Sequence, residues 1–106
     1  MSRNENRFQA SLIKELMETY PDSVVMKNDP NYIQGIPDLT ILAFGKWAFL
    51  ECKKFEDARR QANQAYYISF ANTTGAYGAF VYPENKDEVL DKLWDYFNSD
   101  TCESYL

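Results

Sequence analysis

The sequence contains no histidine. That absence removes imidazole acid/base catalysis, Ser-His-Asp and Cys-His triads, HNH-type nuclease chemistry and every zinc site that needs imidazole. Cysteine is nearly as scarce. Cys52 and Cys102 are the only two, too few for the disulfide framework of a small secreted domain or for a thiolate zinc site. Free thiols in a reducing compartment are expected. No apolar run approaches the roughly 20 residues that span a bilayer, and no basic-then-apolar leader opens the chain, so a soluble, cytoplasmic protein is expected. Positive charge is also short. Eleven Lys+Arg stand against sixteen Asp+Glu, a net charge of −5. Phosphate binding rests on Lys and Arg, so the total alone speaks against a nucleic-acid partner.

What is present suffices for one ordered domain. The 106 residues are 45% hydrophobic and 16% aromatic, enough for a single core without disorder, and residues 1–106 read as one domain. Phe8, Leu12, Ile13, Leu16 and Met17 recur at helical spacing within 4–19, and Tyr20-Pro21-Asp22 ends that helix. Ser23–Met26 is a short β-rich run, and 27–35 has loop chemistry. Two further strands, Asp38–Phe44 and Trp47–Lys53, are predicted to form a hairpin about Gly45-Lys46. A helix over roughly 60–73 ends near Gly75, and Tyr77–Tyr82 is a fourth strand. Asn85 with Glu88 three residues later predicts a capping box for a last helix through about Asn98. The order α-β-β-β-α-β-α predicts an α/β fold, a mixed sheet flanked by helices.

The chemistry concentrates at one end of the predicted hairpin. Strand Trp47–Lys53 is mostly apolar yet finishes with Glu51 and Lys53, which alternation puts on one face with Cys52 opposite. A Gly45-Lys46 turn would pair Thr40 with Glu51 and Asp38 with Lys53, making Asp38 and Glu51 diagonal neighbours. Two carboxylates converging this way suit Mg²⁺ or Mn²⁺, completed by waters and a substrate phosphate. Lys53 would stabilise developing charge or orient a water, since a neutral lysine base is opposed by the carboxylates beside it. A solvated sheet edge or a surface ion pair is the structural alternative for the same three residues.

Gly35-Ile36-Pro37-Asp38, Phe49-Leu50-Glu51-Cys52-Lys53, Gln64 and Gly75 together resemble the PD-(D/E)xK nucleases. This is the restriction-endonuclease-like superfamily, and the VRR-NUC and Holliday-junction-resolvase branch is the part the sequence looks most like. The resemblance runs over roughly residues 5–82, with Gln64 the eleventh residue after Lys53 and Gly75 the eleventh after Gln64. It implies an αβββαβ core, here with a C-terminal helix added, and metal-dependent phosphodiester hydrolysis. Asp38, Glu51 and the Cys52 backbone carbonyl would bind Mg²⁺ or Mn²⁺, Lys53 would be the catalytic lysine, and Gln64 would position water or phosphate. Gln61 competes with Gln64 for that role. A helix-1 glutamate is common in the family; Glu5, on one helix face with Gln9, is the candidate and Glu15 the competitor.

Lys54, Arg59 and Arg60 follow the motif and are candidate DNA contacts, against a solvated loop and helix start. Tyr66, Tyr67, Phe70, Tyr77, Phe80 and Tyr82 read as core in preference to base-stacking platforms. Trp94, Tyr96 and Phe97 read as sheet packing or a dimer contact. The expected activity is a divalent-metal-dependent endodeoxyribonuclease on DNA, plausibly branched or Holliday-junction DNA in repair or recombination, phage-like in its small size. A homodimer would supply two coordinated cuts, and no small-molecule cofactor is expected. The alternative is a non-catalytic nuclease-like module that binds DNA or a protein. The charge does not exclude the enzyme, because residues 1–83 hold nine Lys+Arg and nine Asp+Glu, leaving the acidic excess to 84–106.

Overall fold

A computed structural model describes the backbone of residues 3–55 and 62–99, with side chains from 6 to 55 and from 63 to 99. Seven elements follow in order: α1 (Arg3–Thr19), β1 (Val24–Lys27), β2 (Leu39–Ala43), β3 (Lys46–Cys52), α2 (Ala62–Thr73), β4 (Tyr77–Val81) and α3 (Lys86–Phe97). The strands form one sheet in the order β1-β2-β3-β4. The first three are antiparallel neighbours, and β4 runs parallel to β3 after the α2 crossover. Among the described residues no helix is long and apolar enough to cross a membrane.

Strand alternation divides the sheet into two faces. Leu39, Ile41 and Ala43 of β2, Ala48, Leu50 and Cys52 of β3, and Val81 of β4 meet Leu12 and Leu16 of α1 and Val89, Leu93 and Phe97 of α3 in one buried cluster. The opposite face carries α2, where Tyr67 packs edge-on to Phe49 and Phe70 lies against Trp47. Lys46 secures the end of α3. Its ammonium donates to the carbonyls of Tyr96 and Ser99 and to the Ser99 hydroxyl at 2.7–2.9 Å, a cation at the negative end of a helix. Asp87, Glu88, Asp91 and Asp95 are exposed on α3, so the acidic excess of these residues lies on the layer across the sheet from α2.

The hairpin turn is one residue earlier than predicted. Ala43 pairs with Lys46 and Leu42 with Trp47, so Phe44 and Gly45 make the turn, with φ of 56° and 75°. Two positive φ values match the twist of a two-residue hairpin. Phe44 is an unusual residue for that conformation, but its ring packs edge-on to Tyr20 and Phe97, 6.3 Å from each. Those contacts offset the roughly 1–2 kcal/mol that a left-handed non-glycine residue costs. The predicted capping box is also absent. Asn85 Oδ1 accepts from the Tyr82 N–H and its Nδ2 donates to the Phe80 carbonyl, so this side chain closes the β4–α3 turn and makes no cap bond.

Tyr66 and Phe70 correct another expectation: they are 62% and 42% exposed, whereas Tyr77 packs on the core. Tyr96 and Phe97 pack inward and Trp94 stays half-exposed.

Candidate active site

The end of the hairpin opposite the turn builds a site from three elements. One residue beyond the Leu39–Leu50 pair, the register sets Asp38 directly across from Glu51. The two are joined reciprocally: the Asp38 N–H donates to Glu51 Oε1 at 2.9 Å, and the Cys52 N–H donates to Asp38 Oδ2 at 2.9 Å. Each carboxylate is therefore held by the backbone of the other strand. Pro37, immediately before, has no N–H to continue the ladder, which leaves the carboxylates at the sheet's end.

Lys53 and Gln64 complete the cluster on the α2 face. The Lys53 ammonium donates to Gln64 Oε1 at 3.0 Å and lies 3.7 Å from Glu51 Oε2. Gln64 Nε2 in turn donates to Glu51 Oε2, so the glutamine bridges cation and anion. Glu51 is 3% exposed and Lys53 8%. This is not a solvated sheet edge. Burial and the neighbouring Asp38 carboxylate push Glu51 from 4.5 up to about 7, although the Asp38 N–H and the Lys53 ammonium pull it down. Burial and the second carboxylate thus favour the protonated form of Glu51, or a cation beside it.

Gly35 and Asn28 position the Asp38 segment. Gly35 has φ +81°, and a β-carbon there would fall 2.1 Å from Asn63 Cβ. The first turn of α2 thus rests on the glycine and sets Gln64, the next residue, beside Glu51. Gly35→Ala is expected to cost about 2–3 kcal/mol, from the positive φ together with the clash, measured by urea denaturation. Asn28 was legible only as part of a polar loop, and Thr40 carried no signal beyond its strand parity. Asn28 Nδ2 donates to the Pro37 carbonyl and to Thr40 Oγ1, and its N–H to the Asp38 carbonyl, at 2.8–2.9 Å. Asn28→Ala keeps the backbone bond to Asp38 but frees the Pro37 carbonyl and Thr40 Oγ1, and is expected to destabilise the chain by about 1–2 kcal/mol. Urea denaturation and cation titration together check it: binding to the Asp38 segment should weaken even where the fold persists.

The remaining candidates divide. Glu15 is paired with Lys86 of α3 at 2.8 Å, which commits it to the α1–α3 layer and away from the cluster. Position 5 is helical, but the Glu5 side chain lies outside the described residues, as do Arg59, Arg60, Gln61 and Cys102. Gln9, one turn on, is buried. Lys54 is exposed, its ammonium over the Phe55 ring. Among the described residues no three carboxylates or thiols cluster; Asp38 and Glu51 are a pair.

No protein-family model and no curated protein matches this sequence. In structure the chain is similar to a solved VRR_NUC domain, with a TM-score of 0.67 and 25% identity, over 85% of this chain and 97% of that one. The fold is VRR-NUC-like. The structural match supports the branch of the restriction-endonuclease-like superfamily that the motif residues resemble, and it makes this a nuclease-like fold. In the VRR-NUC-like chain Asp38, Glu51 and Lys53 meet at one end of the sheet, with α2 supplying Gln64, while Gly75 lies after α2 with φ +91°.

Proposed function

We propose that this VRR-NUC-like chain is a divalent-cation-dependent endonuclease that hydrolyses phosphodiester bonds in DNA. The observation that carries the reading is the buried, mutually clamped Asp38–Glu51 pair with Lys53 and Gln64 bonded beside it. Two carboxylates, one of them raised by burial and by the other, are a hard-oxygen donor set that fits Mg²⁺ or Mn²⁺, ions that take one or two carboxylates and fill the rest with water and phosphate. Asp38 and Glu51 would hold the ion, with the Cys52 carbonyl and Glu5 as further ligands. Bound there, it supplies Lewis acidity toward phosphate and water.

The chain's own residues do the rest. Lys53 brings a positive charge to the face where a phosphate would develop negative charge, and the low exposure of the site strengthens that attraction. Gln64 restrains Lys53 and Glu51 in one arrangement, which limits the reorganisation needed when substrate arrives. Lys54, Arg59 and Arg60 would hold the phosphates flanking the scissile bond. A preference for branched DNA follows from the near-neutral body of the chain, which grips undistorted duplex weakly, and a two-fold dimer would place two sites on a junction.

The test is incubation of purified chain with fluorescent four-way junction, linear duplex and single strand in Mg²⁺, Mn²⁺ or EDTA. Cation-dependent cuts, strongest on the junction, are expected. Absence of cation-dependent cleavage on all three sinks the reading.

A further inference from the structure

Six aromatic side chains are exposed among the described residues: Tyr32, Phe44, Phe55, Tyr66, Phe70 and Trp94. Of these, Phe44 and Trp94 pack on Tyr20, their ring centroids 6.3 and 5.8 Å from its own. Tyr20 is 4% exposed, and burial pushes its phenol up to about 12, so it stays a neutral O–H. Among the described residues, its hydroxyl is the one buried side-chain polar atom without a hydrogen-bond partner. Buried polar groups are almost always paired. Two clefts meet at this residue. One, of about 100 Å³, is lined by Tyr20, Asp22, Phe44 and Trp94 among others. The second, of about 220 Å³, is lined by Tyr20, Trp94, Glu15 and Asp91 among others. Neither lining holds a lysine or an arginine. Lys86 neutralises Glu15, whereas Asp22 and Asp91 are exposed and pair with no described cation. Helix α1 ends here without a basic residue in its last turn, so its negative end adds to their field.

We infer that the clefts beside Trp94 dock a cationic segment of another protein, an arginine or lysine next to an apolar side chain. The cation enters the larger cleft. A guanidinium there stacks on an exposed aromatic ring, and its N–H groups donate to a carboxylate and to a phenol oxygen. The apolar neighbour enters the smaller cleft against Phe44. Sites for whole small molecules usually measure roughly 300–1,000 Å³, so clefts of this size suit single side chains. Charge excludes the other occupants. The phosphates of nucleic acid or of an anionic lipid surface meet Asp22 and Asp91, and a second copy brings its own net charge of −5. The inference stands apart from the nuclease reading. These clefts lie on the α1–α3 layer, across the sheet from Gln64 and α2, and binding to them is measured without DNA.

Selection of displayed random heptapeptides on the immobilised chain tests it, the best binder then being synthesised and titrated by fluorescence anisotropy. Peptides with Arg or Lys beside Leu, Phe or Trp are expected, at the micromolar affinity of a small interface. Asp22→Lys, Asp91→Lys and Trp94→Ala, with folding checked by circular dichroism, each weaken the binder at least about 10-fold. Tyr66→Ala, on α2, leaves it unchanged. Tyr20→Phe weakens binding about 3- to 10-fold while Tm holds or rises, a split that a merely structural hydroxyl would not give. No enrichment, enrichment of acidic or uncharged peptides, or a binder that the Asp91 and Trp94 variants leave intact overturns the inference. So does a Trp94→Ala change that dissociates a dimer or weakens binding of single-stranded DNA, which assigns the clefts to a second copy or to nucleic acid.

Discussion

Lys53→Ala is expected to lower DNA cleavage by about 100- to 1,000-fold, the usual loss when one preorganised charge is removed from a reacting phosphate or oxyanion. It leaves binding of Mn²⁺ intact or tighter. The two effects separate because Lys53 and the ion would play different parts. The lysine ammonium sits 3.7 Å from Glu51 Oε2 and bonds Gln64, so it competes for the negative charge a cation would use. Removing it leaves both carboxylates and their backbone clamps. Calorimetric titration with Mn²⁺, run beside a cleavage assay, checks both halves. A variant that loses cation binding together with cleavage would show that Lys53 builds the site and does not act on the substrate. Unchanged cleavage would remove it from the chemistry altogether.

The cation-free chain is expected to lose stability as pH rises from about 5 to about 8, and divalent cation should restore it. Glu51 stands at about 7 in the folded chain against 4.5 for an ordinary glutamate. Between those values the folded state keeps a proton that the unfolded chain has released. Its stabilising contribution is whole below the lower value and fades as pH climbs through the upper one. The full change is about 3 kcal/mol, equivalent to a fall of about 10–20 °C in Tm for a domain of this size. Thermal melts in EDTA at pH 5, 6, 7 and 8, repeated with Mn²⁺, measure it. A Tm in EDTA that is flat or rises over that range contradicts the raised Glu51.

Much of this site was readable in strand parity. The turn is Phe44-Gly45 and not Gly45-Lys46, yet moving a two-residue turn by one position shifts each cross-strand partner by two. Every side chain keeps its face. Asp38, Glu51 and Lys53 therefore stayed together, and only the partner changed, from a diagonal neighbour to the residue directly opposite. Phe44 misled because a left-handed phenylalanine is disfavoured locally, and its compensation comes from Tyr20 and Phe97, rings distant in sequence. Gln64 was legible from motif spacing. The loop of Asn28 was expected beside the site, but the clamp its amide makes was not, because an amide in a polar loop looks like any other until β1 and the Pro37 turn are adjacent. The capping box failed similarly, since Asn85 had a nearer partner in the β4–α3 turn. The exposed aromatics of α2 were unreadable for a different reason: apolar spacing marks a surface as dry without saying what dries it.

The exposed carboxylates of α3 lie across the sheet from Glu51, Lys53 and α2, which gives the chain a leading and a trailing side. A polyanion meets repulsion on the α3 layer and none from a charged residue on α2. Collisions are therefore sorted by orientation before any contact forms, and the sorting fades once salt shortens its reach below about 10 Å.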